Sequence, residues 1–212
     1  MNSLTEKAFE LSQTGIFTYS DVLVWLGEGR NSVRGLVKRA IAAEEIIHIR
    51  RGLYCLAPKY RRHGISRNVI ANLIYGPSYV SMETALAFHG WIPEAVHSVM
   101  SVSSGRAKSF ETPLGYFDYV QVGQTPLLAA VERIQDGPST SFLVAKPLKA
   151  IADYVAARGM DWRGAEPLEE GLRIEREDID SLTSEDFYEL DGVYKSRKAR
   201  NFLEGLRKEL GK

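Results

Sequence analysis

Seven residues in the first quarter of the chain are spaced for work on a polyanion: Arg30, Asn31, Arg34, Lys38, Arg39, Arg50 and Arg51. Guanidinium and ammonium groups pair with phosphate oxygens, and Arg or Asn also reads base edges through paired hydrogen bonds. The last two adjoin Gly52, in a short gap between apolar runs at 46–49 and 53–56. The chemistry on offer is phosphate binding with some base readout, so the question is which elements hold these groups together.

Val33, Leu36, Val37, Ala40 and Ile41 follow the i, i+3, i+4, i+7, i+8 spacing of a core-facing helical stripe. At about 100° per residue, Asn31, Gly35, Lys38 and Ala42 centre the opposite face, bordered by Arg34 and Arg39. Small residues there let the helix approach another surface closely. The helix is expected to begin near Asn31 or Ser32, after a turn at 27–29. Two helices precede it. Ser3-Leu4-Thr5-Glu6 reads as a capping box, with Leu4, Ala8 and Leu11 as the buried stripe and Gly15 as the stop. Thr18 caps the second, with Asp21 in its first turn and Val22, Leu23, Trp25 and Leu26 facing inward.

After the third helix, Ile47 and Ile49 are expected to pack inward while His48 points out. Gly52 supplies the left-handed conformation that a short hairpin loop needs. Three helices followed by a hairpin is the order of a winged helix-turn-helix, with Arg50 and Arg51 at the wing tip beside the basic helix. The fold class expected is α+β: a winged helix-turn-helix over residues 1–68, then a mixed α/β domain over 69–212. Six cations, at 30, 34, 38, 39, 50 and 51, neutralising about five phosphates, predict a log affinity that falls with log salt at a slope of about −4 to −5.

The charge distribution agrees with a polyanionic partner. The chain is neutral overall, yet residues 1–69 hold 11 Lys or Arg against 6 Asp or Glu, a net +5. Residues 160–191 carry a net −9 and residues 192–212 a net +5. No run of 18 apolar residues occurs and the N-terminus lacks the pattern of a signal peptide, so a cytoplasmic protein is expected. The single cysteine, Cys55, lies in an apolar strand pattern and reads as a small buried residue.

Arg61, Arg62 and Arg67 punctuate a basic connector over 58–68, as further phosphate contacts or as solubilising charges. Beyond it the pattern predicts helices at 69–75 and 82–89, the latter capped by Ser81 and closed by Gly90. Strands are expected at 96–103 and 142–145, a hairpin at 110–122 around Pro113-Leu114-Gly115, and a helix from Pro147 to Arg158. A charged helical tail follows. His48, His63, His89 and His97 lack ligand spacing, and no phosphate loop, nucleophile elbow or carboxylate pair stands out. Neither an enzyme nor a cofactor or metal is expected.

The stretch SYVSMETALAFHGWIPEAVHSVMSVSSGRAKSFETPLGYFDYVQV, residues 78–122, resembles the hallmark region of AbiE-type antitoxins, from bacterial type IV abortive-infection toxin–antitoxin systems. The likeness is carried by Ser81, Ala85 and Leu86, by the His-Gly-x-Ile-Pro-Glu turn at 89–94 and by the Phe-x-Thr-Pro-x-Gly hairpin at 110–115. VAKPLKAIADYV, residues 144–155, resembles the family's next helix, and the RRGLY wing fits too. The likeness runs over nearly the whole chain and weakens after residue 160. It implies an N-terminal domain that represses its own promoter by binding inverted repeats in double-stranded DNA. It also implies a C-terminal domain that counteracts a nucleotidyltransferase-like toxin and need not bind it stably. Where family members often carry a more basic strand, this chain keeps only Arg106 and Lys108 as an antitoxin surface. The alternative is a stand-alone winged-helix regulator whose C-terminal domain senses a small ligand.

Overall fold

Helix α1 (Ser3–Leu11) starts one residue ahead of the expected box: Asn2, not Ser3, is the N-cap, its side chain accepting from the Leu4 amide. Asn is as good a cap as Ser, and Asn2 also donates from Nδ2 to the Leu36 carbonyl, so a tertiary contact decides the boundary. Leu4 and Ala8 are buried; Leu11, at the helix end, is 51% exposed. The computed structural model describes residues 1–27, 29–93, 97–137 and 139–212, and for Arg30 the backbone alone. Glu28 of the expected turn, Glu94 of the 89–94 motif and Val96 of the expected strand lie outside the described residues.

Strand β1 (Ile16–Thr18) leads into α2 (Tyr19–Leu26), where Thr18 and Asp21 form a reciprocal capping box. Helix α3 (Arg30–Ala42) begins at Arg30, slightly earlier than expected. Its Val33, Val37 and Ala40 are buried and Leu36 packs on the same core, while Ile41 is 38% exposed. Strands β2 (Ile46–Arg50) and β3 (Leu53–Leu56) form an antiparallel hairpin, and the sheet order is β1-β3-β2. Gly52 sits at φ +77°, as the turn requires. A register irregularity between His48 and Arg50 breaks the two-residue alternation, so Ile46 and Ile49 are buried and Ile47 only half-buried. That corrects the expected Ile47/Ile49 pair. His48 does face out.

Three features tie this unit to itself. The Glu45 carboxylate accepts from the Asn2 amide and the Thr5 hydroxyl and lies 3.6 Å from the N-terminal amine. The Thr5 hydrogen bond, then the Asn2 amide, hold its pKa below the usual carboxylate value. Arg61 donates to the Leu56 carbonyl and Arg62 to the Phe9 carbonyl, so these two connector arginines fold back on their own chain. Cys55 is fully buried, and burial pushes its thiol pKa up.

A turn of 3₁₀ helix (Pro58–Tyr60) precedes α4 (Arg67–Ile74). The chain divides into two compact units inside α4. One is Met1–Ile70 with Glu111–Gly115 and Gln135–Ser141; the other is Ala71–Phe110, Tyr116–Ile134 and Phe142–Lys212. After α4 come β4 (Ser78–Val80), α5 (Met82–Phe88), β5 (Ser98–Ser103), β6 (Lys108–Thr112), β7 (Gly115–Gln121), β8 (Val131–Gln135) and β9 (Ser141–Ala145). They form a mixed sheet of order β6-β7-β5-β4-β9-β8, with β5 parallel to β7, β4 parallel to β9 and β4 antiparallel to β5. Helices α6 (Pro147–Arg158), α7 (Glu166–Leu172), α8 (Arg176–Asp180), α9 (Ser184–Tyr188) and α10 (Arg197–Leu210) complete a mixed α+β fold with ten helices among the described residues. None of them is long and apolar enough to cross a membrane.

The second unit is organised around charge. Lys149 and Asp153, one turn apart on α6, are both fully buried, with Nζ and Oδ1 3.0 Å apart. Asp153 accepts from the hydroxyls of Tyr79 (2.8 Å), Ser81 (2.7 Å) and Tyr194 (2.7 Å). Lys149 also donates to Gln124 and Tyr194. Gln124 donates to Tyr79, closing the cage. Ser81 precedes α5 as expected, but its hydroxyl goes to Asp153 instead of capping the helix. Burial pushes the Lys149 pKa down against the pull of Asp153, and burial beside that carboxylate pushes both phenols up.

Removing one member of such a pair strands the other. Lys149→Met is expected to cost about 3–5 kcal/mol, and Lys149→Met with Asp153→Leu to recover part of it; urea unfolding measures both. A second expectation concerns acid. Because the folded pKa of Glu45 lies below its unfolded value of about 4.3, its contribution is complete above that value and is lost as pH falls through the folded pKa. Glu45→Gln is expected to flatten the loss of stability in that acid range, as followed by unfolding at stepped pH.

Candidate nucleic-acid interface

The start of α2, one face of α3 and the β2–β3 hairpin enclose a groove of about 690 Å³. Asn31, Arg34 and Lys38 line it from α3, and Arg51 lines it from the hairpin turn. All four are exposed. The helix period puts 31, 34 and 38 on one side, while Val33, Val37 and Ala40 hold the other against the core. Gly52 lets the hairpin reverse within two residues, which brings Arg51 back toward the helix.

Of the seven residues singled out by sequence, the groove therefore gathers four. Arg39 and Arg50 are exposed but do not line it. Arg39 borders the helix face, and its guanidinium lies beside Gly35, 3.4 Å from where a Cβ would stand. Arg50 is the last residue of β2, paired with Leu53 past the irregularity at Ile49. The side chain of Arg30 is outside the described residues.

The groove also includes Tyr19, Ser20, His48 and Tyr54, which are not among those seven. His48 had a signal, since it is the outward residue two positions before Arg50. Its ring lies 5.2 Å from that of Tyr54, which stacks in turn on Phe17 at 5.9 Å. Burial, then the nearby Tyr19, push the Tyr54 pKa up, so its hydroxyl stays a neutral donor.

Among the described residues, Arg34, Lys38, Arg39, Arg50 and Arg51 have no carboxylate within ion-pair distance, which leaves their charge available to a partner. The start of α2 is different. Asp21 sits in its first turn and takes the Thr18 amide, so that helix end is already neutralised by its own chain. The anion-attracting surface is α3 and the hairpin turn. Such a surface can take phosphates at Arg34, Lys38 and Arg51 and present Asn31 to a base edge.

In the second unit, Arg106 is exposed in the β5–β6 loop and Lys108 opens β6, a strand at the end of the sheet order. The Lys108 ammonium lies 5.1 Å from the Phe110 ring and 5.8 Å from that of Tyr75. His89 closes α5 with its Nε2 2.9 Å from the Ala145 carbonyl and 3.6 Å from Glu132, a structural placement. No protein-family model matches this chain, and no curated protein matches it significantly.

The groove cations Arg34, Lys38 and Arg51 are exposed and, among the described residues, have no carboxylate within ion-pair distance. Arg34→Ala and Lys38→Ala are each expected to change stability by no more than about 0.5 kcal/mol. Tyr54→Ala, which empties a buried aromatic site, is expected to cost about 3–5 kcal/mol. Denaturant unfolding of the three variants checks the contrast.

Proposed function

We propose that the first unit is a winged helix-turn-helix, α3 its recognition helix and the β2–β3 hairpin its wing, and that it represses its own promoter. The observation that carries this reading is the groove in which Asn31, Arg34 and Lys38 share a surface with Arg51, free of internal counter-charges among the described residues. A helix of this width enters the major groove, and a basic turn beside it reaches the adjoining backbone. Two copies on an inverted repeat match this mode of binding.

The second half of the proposal rests on the resemblance at 78–122 and 144–155. The chain acts as the antitoxin of a type IV system and counteracts a nucleotidyltransferase-like toxin through its C-terminal unit. Arg106 and Lys108 supply the remaining positive charge there. A second reading, a stand-alone regulator with a ligand-sensing C-terminal unit, is favoured by a cavity of about 370 Å³ in that unit.

Binding to the upstream DNA of the chain's own gene, followed across a salt series, tests the first half. Lys38→Ala and Arg51→Ala are each expected to lower the magnitude of the log–log slope by about one unit. Arg39→Ala and Arg50→Ala are expected to change it less, because neither lines the groove. Equal losses in all four would leave general surface charge, not the groove, as the binding agent. Toxin rescue, measured on the same variants with the toxin supplied from the neighbouring gene, tests the second half: rescue is expected to survive each substitution.

A further inference from the structure

The cavity in the second unit is walled by α5, β5, α6 and the end of α7, and is lined by Glu83, Ile92, Met100, Tyr154 and Leu172 among others. Its volume, about 370 Å³, falls in the range of small-molecule pockets. Among the described residues the wall is mostly apolar, with one carboxylate. Among the described residues, Glu83 Oε2 is shielded from solvent and has no hydrogen-bond partner. A buried acceptor left open is uncommon, since it forfeits its hydration without repayment.

Glu83 Oε1 faces a cation loosely. Arg158, the last residue of α6, reaches it at 3.5 Å, longer than a tight charge-assisted hydrogen bond. The Arg158 side chain is 50% exposed, and its guanidinium lies 5.7 Å from the Tyr154 ring. That ring is held in place by stacking on Trp162, with centroids 5.5 Å apart. So Glu83 and Tyr154 already share a cation, and it comes from a half-exposed arm at the end of a helix. A carboxylate with an aromatic face is the pairing that recognises ammonium and guanidinium groups. Ile92, Met100 and Leu172 supply an apolar wall for the rest of such a molecule.

We propose that this cavity binds a small organic cation, an amine or guanidine on a compact apolar body, with Glu83 taking the charge, Tyr154 taking its face and Arg158 as the internal competitor. The proposal does not rest on the DNA-binding reading, and its test measures binding at the cavity directly.

The full chain, labelled with [methyl-¹³C]methionine, is titrated with benzylammonium chloride and, separately, with benzyl alcohol. The Met100 resonance, identified by Met100→Leu, is expected to shift saturably with the ammonium. The alcohol is expected to bind at least about tenfold more weakly, and Glu83→Gln to weaken the ammonium by a similar factor, as removal of one charge-assisted contact does. Tyr154→Leu is expected to weaken it several-fold, and Arg158→Ala to tighten it. A cooperative thermal unfolding transition certifies that each variant is folded. Absence of a saturable shift in both the parent chain and Arg158→Ala would overturn the proposal. So would equal affinity for amine and alcohol, or an affinity unchanged in folded Glu83→Gln.

Discussion

Two opposite charges removed from water, Lys149 and Asp153, set the terms for the C-terminal unit. An ion pair at zero exposure returns its desolvation cost only when every remaining donor and acceptor is matched. Here the matching groups come from far apart in the chain: Tyr79 on β4, Ser81 at the head of α5, Gln124 after β7 and Tyr194 ahead of α10. Each must sit within hydrogen-bond reach of one α6 turn. The pair thereby fixes β4, α5 and α6 in mutual register, and Tyr154, the residue after Asp153, inherits its direction from it. The placement of the cavity residues Glu83 and Tyr154, and of Arg158 against them, depends on that register, because α5 and α6 carry all three.

The N-terminal unit treats charge the opposite way. Among its described residues the one buried carboxylate, Glu45, is satisfied by Asn2, Thr5 and the terminal amine. Its connector arginines, Arg61 and Arg62, are satisfied by carbonyls. Among the described residues, Arg34, Lys38 and Arg39 of α3 and Arg51 of the hairpin turn have no carboxylate within ion-pair distance. Leu23, Val37 and Ile41 give the groove an apolar wall beside Arg34, Lys38 and Arg51.

Elements with a strong local signal were readable from the sequence. Thr18 with Asp21, Pro147 at the head of α6 and Gly52 at the hairpin turn each impose a backbone geometry by themselves. Strands β1 and β4 have three residues each, too few for a two-residue period to register, and their partners lie far away in sequence. Asn2 won the first cap through its bond to Leu36, and Ser81 gave its hydroxyl to Asp153; both outcomes are tertiary. The same division holds at the groove. The α3 face is a matter of angular spacing, so Asn31, Arg34 and Lys38 could be chosen. The choice between Arg50 and Arg51 turned on an irregularity at Ile49 that no alternation pattern carries. Lys149 and Asp153 stand at an i, i+4 spacing that is equally common on exposed helix faces, so nothing local marks them as buried; their burial follows from partners up to 74 residues away.

The cage around Asp153 also carries a temporal order. Every member of the N-terminal core lies at or before Tyr60, so that core has all its parts early in synthesis. Asp153 waits for a phenol 41 residues downstream. Until Tyr194 has left the ribosome, Asp153 lacks one of its three hydroxyl donors and the buried pair cannot be completed. The α3 cations, Arg34, Lys38 and Arg39, are made more than a hundred residues before that point.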